Sequence, residues 1–285
     1  YGNLGRGVES ALAQSPDMRL VGVFSRRDPA SVTLLDSSVP VHAMSTIEQY
    51  QDEVDVMILC GGSKTDLPEQ GPYLAQFFNT VDSFDTHAKV PEYYAALDQS
   101  ARDAGRVALL SVGWDPGLFS LNRLFGEAIL PEGETYTFWG KGLSQGHSDA
   151  VRRVPGVQSG VQYTLPSEEA IARVRSGEQP QLTTREKHKR ECYVVLAEGA
   201  EADVVRDSIV TMPDYFADFD TTVNFIDQDT FAKEHSSMPH GGFVIRSGKT
   251  GEQNTQTVEY SLALGSNPEF TASVLVAYAR AVHRL

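Results

Sequence analysis

Hydrophobic and polar positions change their period along the chain. From Asn3 to Gln14, Leu4, Val8 and Leu12 recur at helical spacing, which predicts a helix. Arg19–Ser25 carries Val21, Val23 and Phe24 and predicts a strand. VDVMILC (Val54–Cys60) and RVALLSV (Arg106–Val112) are nearly unbroken apolar runs, the pattern of strands covered on both faces of a parallel sheet. Glu69–Phe78 predicts a helix and Asn79–Ser83 a short strand. Pro91–Ala104 predicts a helix that opens on proline and is closed by Gly105. Strands and helices alternating in this way predict a doubly wound α/β domain over residues 1–116.

After Pro116 the period shifts. A helix at about 117–130 leads into ETYTFWGK, GVQSGVQYTL, HKRECYVVLA, DTTVNFI, GGFVIRS and TQTVEYSLAL, in which polar and apolar residues alternate. Helices interleave at 167–175 and 201–210. Residues 117–265 therefore read as an α+β domain with one sheet partly exposed. The end of the chain, 266–285, carries a helix over Pro268–Arg284 that is expected to pack back on the first domain.

The opening YGNLGRG adds chemistry to the first domain. Gly2-Asn3-Leu4-Gly5 fits the second and third glycines of a Rossmann-type G-x-G-x-x-G turn. In that reading Tyr1, Gly2, Asn3 and Leu4 meet a dinucleotide at a helix N-terminus. The first glycine and the first strand, roughly ten residues, are then expected to precede Tyr1. A glycine-containing helix cap is the plainer alternative. The next strand ends in Ser25-Arg26-Arg27, where an NAD site would place an acid. A hydroxyl and two guanidiniums suit a 2′-phosphate, so NADP is expected as cofactor. The alternative is two surface arginines in a turn before Asp28-Pro29.

Composition narrows the classes. The 285 residues are 41% hydrophobic and 22% charged, an ordinary globular balance, and the net charge of -14 disfavours nucleic acid and anionic membrane as general partners. Cys60 and Cys192 form no disulfide framework, which points to a reducing, cytoplasmic setting. No apolar run approaches the roughly 18–20 residues of a membrane span. The two cysteines and seven histidines show no metal-ligand spacing, and no metal is expected.

Longer phrases then join these features: CGGSKTDLPEQGPYLAQF, TVDSFDTH, SVGWDPGLFSLNR, TFWGKGLSQGHSDAVRRVPGVQSGVQYTLPSEEA, REKHKREC, TMPDYF, VNFID, MPHGGFVI and TVEYSLALGSNPEFTAS. Together they resemble the meso-diaminopimelate dehydrogenase family from Tyr1 to the end of the chain. The WGKGLSQGHSDA and GWDPG phrases are long and specific. The resemblance implies reversible, NADP-dependent oxidative deamination at the D-centre of meso-2,6-diaminopimelate. It yields L-2-amino-6-oxopimelate, which cyclises to tetrahydrodipicolinate, with ammonia and NADPH, in diaminopimelate and lysine biosynthesis. It also implies a homodimer, with the second domain serving substrate binding and dimerisation.

Roles follow from the same resemblance. Asp85 and Asp115, just beyond predicted strands, hold the amino group of the D-centre, and Asp115 is the candidate for proton handling. From spacing alone, Asp115 before Pro116 reads as a helix N-cap. Trp139, Gln145, Gly146 and Asp149 line the substrate pocket. Thr164, Arg190 and His240 meet the distal carboxylate, for which Arg is suited by its bidentate fork, and Asn267 is a further match. Ser63, Lys64, Thr65 and Asp66 after the VDVMILC strand, and Val81, Asp82 and Ser83 after the next, are expected cofactor contacts. The family more often has a small residue at Lys64. Rival readings are another NADP-dependent D-amino-acid dehydrogenase, or a regulator that binds NADP without chemistry.

Overall fold

Leu4, Val8 and Leu12 lie on the inner face of helix α1 (Asn3–Ala13) and pack into one apolar cluster with the carboxy-terminal helix, Asn267–Arg284. That helix contributes Ala272, Leu275, Val276, Ala279 and Val282 to the cluster. The two helices touch closely at Gly7, where a Cβ would lie 2.8 Å from the Ala272 Cβ. The computed structural model describes Tyr1–Leu285 and divides into two units, Tyr1–Leu121 with Pro268–Leu285, and Asn122–Asn267.

The first unit is α/β, and all its strands are parallel. Strand β1 (Val23–Ser25) pairs with β2 (Val41–Ala43), and β3 (Val56–Leu59) pairs with β4 (Asn79–Asp82), which pairs with β5 (Ala108–Leu109). Helix α2 (Leu67–Leu74) follows β3, and α3 (Val90–Ala104) follows β4. Gly105 closes α3 in the left-handed conformation, at φ 64, as its position after the apolar pattern predicts. A second cluster built on Leu59, Leu67, Leu74, Phe78, Phe84 and Leu97 packs α2 and α3 on the sheet. Strand β5 is shorter than the apolar run Arg106–Val112, because the chain leaves the ladder at Ser111. The Ser111 amide donates to the Asp82 carboxylate (3.2 Å) and the Val112 amide to the Asp82 carbonyl (2.9 Å).

Helix α4 (Leu118–Ile129) precedes the second unit's strands. This unit holds two sheets. One is antiparallel, with β6 (Gly133–Trp139) beside β11 (His240–Lys249) and β11 beside β12 (Thr255–Leu264). The other orders β10 (Asp220–Phe225), β9 (His188–Leu196), β8 (Val157–Pro166) and β7 (Gly142–Leu143). Its core gathers Val151, Cys192, Val194, Ile209 and Phe216. Strand β12 leaves one face open, with half-buried Val258, Tyr260 and Leu262 alternating with exposed residues. Helices α6 (Glu168–Arg175) and α8 (Ala202–Val210) lie where the pattern placed them. Three short helices have no counterpart in the apolar pattern: α5 (Gln145–Arg152), α7 (Thr184–Lys187) and α9 (Gln228–Glu234). Each starts on a side-chain cap, from Ser144, Thr183 and Asp227, so local capping supplies what periodicity does not. No helix is long and apolar enough to cross a membrane.

Candidate active site

In the first unit, four loops follow the carboxyl ends of parallel strands, the edge where α/β sheets bind ligands. Ser25, at the end of β1, is buried, and its Oγ accepts the Arg27 amide at 3.0 Å. Arg26 pairs with Asp66 at 2.8 Å, and the Arg27 guanidinium donates to the Tyr1 carbonyl. The Gly62 amide (3.0 Å) and then Arg26 hold the Asp66 carboxyl below its usual range. Tyr1, Ser25, Arg26, Arg27 and Asp66 are thus one cluster beside the start of α1. Gly2 caps α1 with no side-chain acceptor, and a Cβ there would meet nothing within 4 Å. A helix N-terminus with open space before it and two arginines at its side fits a phosphorylated dinucleotide. Lys64 and Thr65 stand exposed in the next loop.

Several side chains expected to meet cofactor are otherwise engaged. Leu4 packs in the core, the Tyr1 hydroxyl donates to Glu9, and Val81 and Asp82 are 0% exposed. Apolar packing takes the side chains of Leu4 and Val81, and internal hydrogen bonds take those of Tyr1 and Asp82. Ser83 is half-buried beside them. Asp85 is exposed, and its amide donates to the Ser63 Oγ at 3.1 Å, so the loops after β3 and β4 are tied together. Asp115 is half-buried, next to the buried Trp114, whose ring meets Phe119 edge-on at 5.4 Å. Helix α4 begins only at Leu118, and there the Gly117 amide meets the Ser120 Oγ at 3.1 Å. Asp115 therefore does not stand at the cap position that its spacing before Pro116 suggests.

In the second unit Thr164 on β8 and Arg190 on β9 are register partners, and the guanidinium donates to the Thr164 Oγ1. The same guanidinium lies 3.9 Å over the Phe219 ring, while its Nε is buried without a partner. Burial pulls the Arg190 pKa down to about 10. His147 and His188 are pulled down to about 4 and about 3, and His240 is also lowered, in each case first by burial and also by the charge of Arg190. The imidazoles are neutral at neutral pH, and the guanidinium carries the local charge. A half-buried cation with a spare buried N–H donor and no carboxylate bonded to it is built to receive an anion.

Around it, the Trp139 amide donates to the His188 Nε2 (2.8 Å), and the two rings stack at 5.2 Å. Gly142 pairs with Thr164, and a Cβ on it would lie 2.3 Å from the His240 ring, so only glycine admits the imidazole there. The Gln145 amide reaches the Met238 Sδ (3.2 Å), and the Asn267 amide donates to the Met238 carbonyl (2.9 Å). Trp139, Gln145, Thr164, Arg190, His240 and Asn267 thus belong to one neighbourhood, and Gly146 opens on space, with nothing within 4 Å of a Cβ. Asp149 departs from this set. It is exposed on α5 and pairs with Arg152 one turn on, a helix-surface ion pair. His188, His147, Gln162 and Phe219 belong to the neighbourhood; in the sequence the two histidines rank below His240, and Gln162 and Phe219 carry no signal. The signal for His188 was present, because it stands two residues before Arg190 on a strand and so shares its face.

The diaminopimelic acid dehydrogenase C-terminal domain family matches residues 113–266. A meso-diaminopimelate D-dehydrogenase from Lysinibacillus sphaericus is 65% identical, over 100% of this chain and 87% of its own length. A crystal structure of a six-substitution meso-DAP dehydrogenase mutant from Clostridium tetani, with DAP, superposes with a TM-score of 0.94 at 54% identity, covering 100% of this chain and 88% of that one. An engineered D-amino acid dehydrogenase bound to NADP+ gives 0.86 at 51% identity, covering 100% and 87%. With the family match spanning more than half of the chain and the identity running from end to end, the chain belongs to the meso-diaminopimelate D-dehydrogenase family.

Proposed function

We propose that this protein oxidises the D-centre of meso-2,6-diaminopimelate with NADP, releasing ammonia and L-2-amino-6-oxopimelate, and runs the reverse reaction in diaminopimelate synthesis. The observation that carries the reading is the half-buried Arg190, with its buried, unpartnered Nε and neutral histidines within reach of its charge. A substrate with a second amino-acid end brings the carboxylate this cation lacks. The substitutions in the Clostridium tetani mutant replace Gln, Thr, Arg, Pro, His and Asn. Their order and spacing are those of Gln145, Thr164, Arg190, Pro239, His240 and Asn267, which supports the same residues as the substrate grip. The arginine pair Arg26 and Arg27 and the NADP+ complex of the engineered relative support NADP over NAD.

NADP supplies the hydride acceptor. Asp85 and Asp115 bind the ammonium of the D-centre and orient its C–H bond, and orientation supplies much of the rate. Asp115, directly or through water, takes one proton from the ammonium nitrogen as the C–H hydride leaves, which forms the protonated imine. Water adds to the imine carbon, and ammonia departs with the nitrogen. Thr164, Arg190 and His240 hold the distal carboxylate throughout. Two copies of the chain associate, and an apolar stripe on α4 supports this: Leu121, Leu124, Phe125 and Ile129 are all more than 40% exposed. The test follows NADPH formation from NADP with the meso, LL and DD isomers, and with NAD in parallel. Turnover confined to the meso isomer and NADP is expected. Tight NADP binding without turnover of any isomer would move the protein to a non-catalytic role.

A further inference from the structure

The Asp82 carboxylate is a buried junction between the loops that carry Asp85 and Asp115. Its Oδ1 accepts the Phe84 amide at 2.9 Å, next in the chain to Asp85. The same oxygen accepts the Ser111 amide at 3.2 Å, at the start of the segment that leads to Asp115. Its Oδ2 accepts the Tyr93 hydroxyl at 2.6 Å from α3. The Tyr93 ring stacks on Phe84 at 4.3 Å, so the same side chain holds the loop at two points. The hydroxyl fits because residue 71 is glycine: a Cβ there would lie 2.1 Å from the Tyr93 Oη. Ser111 adopts φ 58, in the left-handed region that non-glycine residues leave unless their surroundings hold them there. The carboxylate that its amide points to is such a restraint. Asp82 has no exposure, so its side chain is a part of the scaffold and not a ligand contact.

We propose that Asp82, braced by Tyr93, is a positioning residue that sets the spacing of Asp85 and Asp115 for the reaction. Burial pushes its carboxyl up from the usual value, and the Tyr93 hydroxyl and the two amides offset part of that. The junction therefore works through acceptor geometry rather than through a charge shown to substrate. The proposal rests on the assignment of Asp85 and Asp115 above.

The experiment compares Asp82→Ala, Asp82→Asn and Tyr93→Phe with Asp85→Asn and Asp115→Asn. Asp82→Asn keeps an Oδ1 for both amides and offers its NH2 to the Tyr93 oxygen. We expect Asp82→Ala to lower kcat about 10–100-fold, the scale for a displacement of about 1 Å at a reacting centre. NADP affinity should stay within about 3-fold, since the arginine cluster is untouched. Asp82→Asn should restore kcat to within about 3-fold of wild type, because the Oδ1 acceptor shared by the Phe84 and Ser111 amides returns. Hydrogen exchange at the Phe84 and Ser111 amides should rise in Asp82→Ala and stay protected in Asp82→Asn. Where Asp82→Ala does not fold, Tyr93→Phe, which keeps the ring stack and removes one donor, should show the same split at smaller size. Wild-type kcat in a folded Asp82→Ala, or Asp82→Asn as impaired as Asp82→Ala, would overturn the proposal. Wild-type kcat in Asp85→Asn and Asp115→Asn would instead remove the site assignment on which it rests.

Discussion

Replacing His188 by phenylalanine should change how stability depends on pH, with a sign that the structure dictates. His188 is 2% exposed, accepts the Trp139 amide on Nε2, and has a pKa pulled from 6.5 to about 3 by burial and then by Arg190 and Lys187. The folded chain binds the imidazole neutral, whereas the unfolded chain protonates it below about pH 6.5. A depressed folded pKa contributes stability that is present above the unfolded pKa and is lost as pH falls toward the folded one. Between about pH 8 and about pH 4.5 that loss is about 3 kcal/mol from this residue alone. Phenylalanine preserves the stack on Trp139 but leaves its amide without the acceptor, a cost of about 1–3 kcal/mol at every pH. The variant is therefore expected to be less stable than wild type at about pH 8. The gap should shrink by about 3 kcal/mol, and close or reverse, by about pH 4.5. Guanidinium unfolding followed by far-UV circular dichroism, run on both proteins across this range, measures the difference directly. His147, lowered to about 4, titrates in both proteins and cancels. A difference constant to within about 0.5 kcal/mol over the range would refute the buried neutral imidazole.

Other expectations concern binding. Arg26→Ala with Arg27→Ala should raise the KM for NADP about 100-fold or more, two charge-assisted contacts being lost, while NAD changes little. An equal rise for both cofactors refutes the phosphate assignment. Arg190→Ala should raise the KM for meso-diaminopimelate about 100-fold. Wild-type use of D-lysine, which lacks the distal carboxylate, as readily as the natural substrate would refute the clamp. Gly142→Ala, whose Cβ would lie 2.3 Å from the His240 ring, should weaken substrate binding and spare NADP affinity; loss of both would refute a local effect. Leu124→Glu with Phe125→Glu should convert a dimer to a monomer in sedimentation, and an unchanged dimer would place the interface elsewhere.

What could be read from the sequence follows from how local each cause is. The helix Val90–Ala104 was readable because proline, apolar spacing and Gly105 all act within the segment itself. In the WGKGLSQGHSD stretch α5 leaves no apolar period, because Ser144 caps a helix too short to show one. Strand β2 was missed for a related reason: Val41–Ala43 is three residues long and gains its ladder only from β1, far along the chain.

The site divides along the same line. Arg26 and Arg27 stand out in the sequence because guanidiniums at a strand end suit a phosphate, and Arg190 because its phrase resembles the family's. For Asp149 the structure adds a partner that the phrase does not reveal, an arginine one helical turn away. Asp82 and His188 show the deeper limit. Each matters for what it holds in place, and that depends on burial and on partners brought by other elements, Tyr93 and Ser111 for one and Trp139 for the other. Alternation on β9 was enough to place His188 beside Arg190, but not to show that it accepts a backbone hydrogen bond from β6. A residue that acts by receiving a distant amide leaves no periodic trace. The positioning groups of this enzyme are therefore found by asking which buried acceptors the loops of the site depend on, and Asp82 answers for both acidic loops at once.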